Sequence, residues 1–151
     1  MKQKRIPANG SVFLVPLPTG DFGIGVLIRA DGKGRAYGTF FGPRVADASK
    51  LDIAHLRPQD AIFRSRFGDY GLHTQRWTVI GSISNWDPSH WPIPKFFRRH
   101  DNQGMVYVTE YDDNLDVISE VVLPADEAKD MPEDIQLGSS VVEVKLAKLL
   151  A

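Results

Sequence analysis

Residues 11 to 17 are apolar at almost every position, and Pro18-Thr19-Gly20-Asp21 follows with Gly20 able to take a positive φ. That pattern predicts a strand running into a hairpin turn. On the return, Phe22, Ile24, Val26 and Ile28 alternate with Gly23, Gly25 and Leu27. A period of two marks a strand, because successive side chains point to opposite faces. The glycine face is flat, so backbone or an aromatic ring from elsewhere can approach it closely. Gly23-Ile24-Gly25 opens like a dinucleotide-binding loop, but the third glycine is missing and no helix follows, so the nucleotide reading is discarded. Asp31-Gly32-Lys33-Gly34 is a second hairpin turn, and residues 35 to 41 form a third, aromatic-rich strand that Gly42-Pro43 is expected to end. Three strands joined by tight turns make an antiparallel meander.

Farther along, residues 47 to 56 space Leu51, Ile53 and Leu56 loosely and read as one short helix stopped by Pro58. Residues 61 to 67 alternate again, with Ala61, Phe63, Ser65 and Phe67 inward and Ile62, Arg64 and Arg66 on the other side. After a connector with space for one helical turn, residues 76 to 83 read as a strand with Trp77, Val79 and Gly81 on one face and Trp77 in the core. Residues 85 to 94, NWDPSHWPIP, hold three prolines and two tryptophans and cannot be a central strand. Phe96-Phe97, residues 105 to 111 and residues 115 to 123 read as strands. The last two are joined through Asp112-Asp113-Asn114 into a hairpin carrying Glu110, Asp112, Asp113, Asp116 and Glu120. Residues 125 to 130 favour a short helix ended by Pro132. Ser140 with Glu143 fits a capping box before Val144, Leu146, Leu149 and Leu150, which predicts a closing amphipathic helix. A strand over residues 139 to 146 is the alternative, because Val141, Val142 and Val144 favour one. The expected fold is mainly β (α+β), a single domain over residues 1 to 151. Its strands form an antiparallel meander, a twisted sheet or a partly closed barrel, with one or two short helices near the C-terminus.

The length of 151 residues suits one domain that buries roughly 70% of its unfolded surface, so a core is available without staples. The absence of cysteine removes disulfides, thiolate metal sites and cysteine nucleophiles together. Lys2, Lys4 and Arg5 are not followed by an apolar run of the signal-peptide kind, and no segment approaches the roughly 20 apolar residues of a membrane span. A cytoplasmic location is expected. Net charge changes the picture more. It is only −1, yet residues 1 to 100 hold 15 Lys+Arg against 7 Asp+Glu, and residues 101 to 151 hold 3 against 12. Such asymmetry either marks a face for a charged partner or means that the two parts face and offset each other once folded.

Catalytic chemistry finds little support. Asp87, Ser89 and His90 are the residue types of a hydrolase triad, but working triads assemble from separate parts of a fold. No G-x-S-x-G elbow or Walker lysine loop occurs. His55, His73, His90 and His100 are scattered without metal-ligand spacing, although Asp52 and His55 stand three apart. The chain is therefore expected to be no enzyme and to need no cofactor or metal. The competing reading is a small nucleic-acid-binding β domain, in which Arg35, Arg64, Arg66, Arg76, Arg98 and Arg99 beside Tyr37, Phe63, Trp77, Phe96 and Phe97 hold a single strand. Against it stands the total charge, since such domains are normally clearly basic.

The run Gly10-Ser11-Val12-Phe13-Leu14-Val15-Pro16-Leu17, then Gly20-Asp21-Phe22-Gly23-Ile24-Gly25-Val26-Leu27, resembles the first hairpin of the immunity protein 26 family of bacterial polymorphic toxin systems. Arg76-Trp77-Thr78-Val79-Ile80-Gly81, a proline-rich loop and Pro94-Lys95-Phe96-Phe97 are similar to that family's W-x-x-I-G region. The resemblance covers about residues 9 to 110, in order and spacing. It implies a mainly β protein, encoded beside a toxin, that protects its own cell by binding that toxin. It brings no catalytic residues. Residues 111 to 151 follow no such pattern, and partner choice is expected there. The partner-facing candidates are Glu110, Asp112, Asp113, Asp116 and Glu120, with Trp86 and Trp91 as aromatic anchors. An acidic surface of this kind suits a cationic toxin domain, such as a nuclease whose groove is built for phosphate.

Overall fold

The computed structural model describes residues 6–151, so the basic residues Lys2, Lys4 and Arg5 lie outside the described residues. The meander is present: β1 (Ser11–Pro16), β2 (Phe22–Ala30), β3 (Arg35–Val45) and β4 (Phe63–Gly68) follow one another antiparallel. β5 (Val79–Ser82) pairs antiparallel with β1, and β9 (Gln136–Leu137) runs parallel to β4, giving the order β5-β1-β2-β3-β4-β9. A second sheet, β6 (Phe96–Arg99), β7 (Met105–Tyr111) and β8 (Val117–Pro124), has the order β6-β7-β8. Both sheets are open, so the meander reading holds and neither sheet closes into a barrel. Among the described residues no helix is long and apolar enough to cross a membrane.

The large sheet is the middle layer. One face presents Phe13, Val15, Leu27, Ala36, Phe40 and Phe67 to Leu72, Trp77 and the helix α2 (Ser139–Leu149). Val12, Ile24, Val26, Ile28, Tyr37 and Phe41 on the other face pack with Trp91, Phe96 and Leu115. Burial on both faces explains why residues 11 to 17 are apolar throughout instead of alternating. Each fully buried chain of this size contributes about 1.5–3 kcal/mol.

The flat glycine face is used as the alternation implies. A Cβ at Gly25 would run into the Phe13 ring, which stacks on Trp77 at 5.4 Å and 5°. Gly23 receives Leu146, in the last turn of α2, and Gly42 receives Leu150, its C-cap, so the helix seats directly on backbone.

Four expectations change. β3 runs past Gly42-Pro43, a cis bond, to Val45. Phe22 and Ile24 there oppose Val45 and Phe41, so two steps on β2 match four on β3 and Pro43 falls in a bulge where no ladder donor is needed. The helix expected over residues 47 to 56 is only a 3-10 turn, Ala48–Lys50, capped by Asp47. Leu51, Ile53 and Leu56 instead pack, half-buried, from an irregular segment with a turn at Ala54-His55 against the second core face. The strand expected over residues 76 to 83 shortens to β5, because Trp77 turns inward against the one-turn helix α1 (Tyr70–His73). The closing helix forms, but without a capping box. Gly138 is its N-cap, Ser139 accepts the Gly71 N–H at 2.9 Å, and Glu143 turns inward.

Candidate partner-binding surface

The acidic hairpin is built from β7 and β8, and its tip is held by local geometry. The Asp112 carboxylate accepts the N–H groups of Asn114 at 2.8 Å and Asp116 at 3.0 Å. Leu115 takes a positive φ of 61° and is fully buried in the second core cluster. That buried leucine fastens the tip to the large sheet. Asp112, Asp113 and Asp116 are thereby gathered at one end. Glu110 and Glu120 lie on opposite faces of the stem, opposite Ser119 and Thr109 respectively.

Most of these carboxylates already face a cation from the basic part of the chain. Asp113 lies 3.3 Å from Nε of Arg29, a side chain that also donates to the Ile28 carbonyl and is only 9% exposed. Asp116 receives Arg35 Nη2 at 2.9 Å, and Glu120 receives Arg98 Nη2 at 2.9 Å and the Thr109 hydroxyl at 3.3 Å. The Glu120 hydrogen bond raises the Arg98 guanidinium above its ordinary pKa. Glu110 has Lys95 at a looser 3.9 Å. Two deeper pairs join the same regions. Arg66 meets Asp134 at 2.8 Å, and Arg76 and the Trp77 indole both donate to Glu143, at 2.7–2.9 Å. Hydrogen bonds from Arg76 first, and also from Trp77, hold the Glu143 carboxyl below the usual range. The opposed charges of the two parts of the chain thus offset each other across the fold. Asp126, Glu127, Asp130 and Glu133 remain exposed without an ion pair among the described residues.

The tryptophans share a loop but differ in exposure. Their rings are 5.8 Å apart. Trp91 is 5% exposed and meets Phe41 edge-on at 6.3 Å, so it is part of the core. Trp86 is half-buried over Gly10, where a Cβ would lie 2.7 Å from the ring. Asp87 organises the loop: it accepts both the N–H and the hydroxyl of Ser89, at 2.9 and 2.7 Å, while His90 sits 3.6 Å away on the same carboxylate. Ser89 therefore bonds to the acid and not to the histidine, the wrong order for a triad.

The arginine and aromatic set is largely spent inside the fold. Arg35, Arg66, Arg76 and Arg98 are paired as above, and Arg64 donates to the Asp130 carbonyl at 2.7 Å. Tyr37, Trp77 and Phe96 are at most 1% exposed.

One feature of this surface was missed in the sequence. β8 is exposed at nearly every position, with Val117, Ile118, Val121 and Val122 between 43% and 58% exposed. The signal was present in Val117-Ile118-Ser119-Glu120-Val121-Val122, whose apolar residues do not alternate, although β8 is an edge strand with no layer on either face for most of its length.

In comparison with known proteins, the model of one family, immunity protein 26, matches residues 8–105. No curated protein and no solved structure matches the chain.

Proposed function

The chain belongs to the immunity protein 26 family, and from that membership we propose that it is an antitoxin, which binds a cognate toxin domain and neutralises it. The observation that carries this reading is the family match over residues 8–105, which includes the whole large-sheet meander and the tryptophan loop. The protein acts by stoichiometric occlusion, without catalysis or cofactor. Its partner is a cationic toxin domain, with a nuclease as the first candidate, because the exposed carboxylates Asp113, Asp116, Asp126, Glu127 and Asp130 favour a basic groove. Charges of this kind raise association rates and set specificity more than they add affinity. Trp86 is the aromatic side chain of the loop left in reach of a partner.

Co-expression with the toxin domain encoded beside this chain tests the proposal. The expected result is a one-to-one complex on co-purification and survival of cells that the toxin alone kills. Absence of a complex together with unchanged killing refutes it.

A further inference from the structure

Four strand edges close the two sheets, and three of them are short or covered. β5 has four residues and β9 two. β6 also has four, with Arg98 and Arg99 on it, and Phe97 makes a parallel bridge to Glu133. β8 is different. Its eight residues span about 26 Å at about 3.3 Å per residue. Among the described residues its outer edge makes no backbone hydrogen bond. Natural proteins normally blunt such an edge with lysine, proline or a covering segment, since its unpaired N–H and C=O groups template another strand. Here the only charge within the strand is Glu120, and proline stands only at its last position.

We infer that the β8 edge is a docking site for an extended strand of the toxin, which joins the small sheet by β-augmentation. This rests on the antitoxin reading. Backbone pairing supplies affinity in this mode, and alternate side chains supply specificity. Glu120 and its surroundings choose the occupant. A second copy of this chain, paired antiparallel about a two-fold axis, would set Glu120 opposite its own counterpart in one register and bring Asp116 towards Asp126 of the other copy in the next, and like charges so placed are destabilising. A strand with apolar residues meets Val117, Ile118, Val121 and Val122 with matched chemistry, and a lysine or arginine beside Glu120 shares that carboxylate with Arg98. Acidic residues lie just beyond both ends, Asp116 before the strand and Asp126 and Glu127 after it, and all three are exposed. The edge therefore presents an apolar row in an acidic frame, complementary to a basic strand.

The test compares two double variants in titrations with the toxin domain encoded beside this chain. Ile118→Lys with Val121→Lys alters only exposed β8 side chains, and Val141→Lys with Val144→Lys removes similar exposed apolar surface from α2. The expected result is binding at least tenfold weaker for the β8 variant and unchanged for the α2 variant. Hydrogen exchange on the unaltered complex is expected to show protection at alternate amides of residues 117 to 124, which side-chain contact alone would not give. Binding within threefold by the β8 variant, or protection confined elsewhere, overturns this docking mode and leaves the antitoxin reading standing. No binding by the unaltered chain overturns both. A dimer of this chain that the β8 variant dissociates makes a second copy the occupant and overturns the inference.

Discussion

Replacing Asp134 by alanine measures how firmly the two sheets are held together. Its carboxylate accepts Arg66 Nη2 from β4 at 2.8 Å and the Tyr111 hydroxyl from β7 at 2.6 Å, so one side chain ties the large sheet to the small one. The Arg66 and Asp134 side chains are only 13% and 7% exposed. The guanidinium also lies 4.7 Å from the centre of the Tyr111 ring, and its Nε has no hydrogen-bond partner among the described residues. Removing one member of a buried pair leaves the other charged and poorly solvated, at a cost of about 3–5 kcal/mol. The Tyr111 hydroxyl loses its acceptor too, but its partial exposure lets water take over much of that bond. The expected loss is therefore about 3–5 kcal/mol, from a total that for a domain is about 5–15 kcal/mol. At about 2–4 °C per kcal/mol for this size, Tm falls by about 10 °C. Because the stranded charge dominates, Arg66→Met in the Asp134→Ala background is expected to recover most of the loss. Urea unfolding of the four members of this double-mutant cycle, followed by tryptophan fluorescence, reads the coupling directly. A loss below about 1 kcal/mol for Asp134→Ala, or an additive further loss from Arg66→Met, refutes the argument.

The remaining predictions concern other joints of the fold. Glu143→Ala strands the indole N–H of Trp77, which is 1% exposed, and is expected to cost about 1–3 kcal/mol in urea unfolding, while Glu143→Gln keeps an acceptor and costs less. Because the folded carboxyl is held below its ordinary range, its contribution is full at neutral pH and is lost as pH falls through the folded value; the gap between the natural protein and Glu143→Gln should narrow on acidification. At the other extreme, burial and then the Asp134 hydrogen bond push the Tyr111 hydroxyl up to about 12. The folded state then keeps a proton that the unfolded chain loses near pH 10, so stability should fall as pH rises from about 10 towards 12, less steeply in Tyr111→Phe. Buried Tyr37 is raised as well, so part of that slope survives the substitution. Gly25→Ala pushes a methyl into the Phe13 ring and is expected to lower stability by about 1–3 kcal/mol without changing the secondary structure seen by circular dichroism.

What the sequence disclosed was whatever local chemistry decides. The turns at Gly20 and Gly32 and the alternation of residues 22 to 28 place β1, β2 and β3, because pleat period and positive φ are properties of neighbouring residues. The flat glycine face was equally legible, although its occupants, Phe13 from the next strand and Leu146 from a helix more than a hundred residues away, were not. Pairings set by tertiary position escaped. Ser140 and Glu143 have capping-box spacing, yet Glu143 points to Arg76 and Trp77, since a buried charge-assisted contact outweighs a local cap. Trp91 and Trp86 look alike in sequence, and only the fold sends one into the core. The candidate acidic residues were found by type and spacing, but their arginine partners lie 22 to 84 residues away and have no sequence signal.

The family match stops at Met105, the first residue of β7, so β7, β8 and α2 lie almost wholly outside it. These elements are nevertheless structural. Leu115 enters the core cluster on one face of the matched sheet, and Val142 and Leu146 enter the cluster on the other. Asp134 and Glu143 supply the carboxylates for Arg66 and Arg76 of the matched part. The outward residues of the same region, Val117, Ile118, Val121 and Val122, contribute little to either cluster. Inward and outward positions of this region therefore answer to different demands: the first decide whether the chain folds, and the second are free to change what it binds. The proposed antitoxin role, matching one toxin and ignoring others, would use that separation, because specificity could then be altered without spending stability. The arginine pairs refine it further. Asp113, Asp116 and Glu120 are already engaged, so a basic partner gains from them only the difference between its own contact and the one it replaces, and discrimination falls more heavily on the apolar edge.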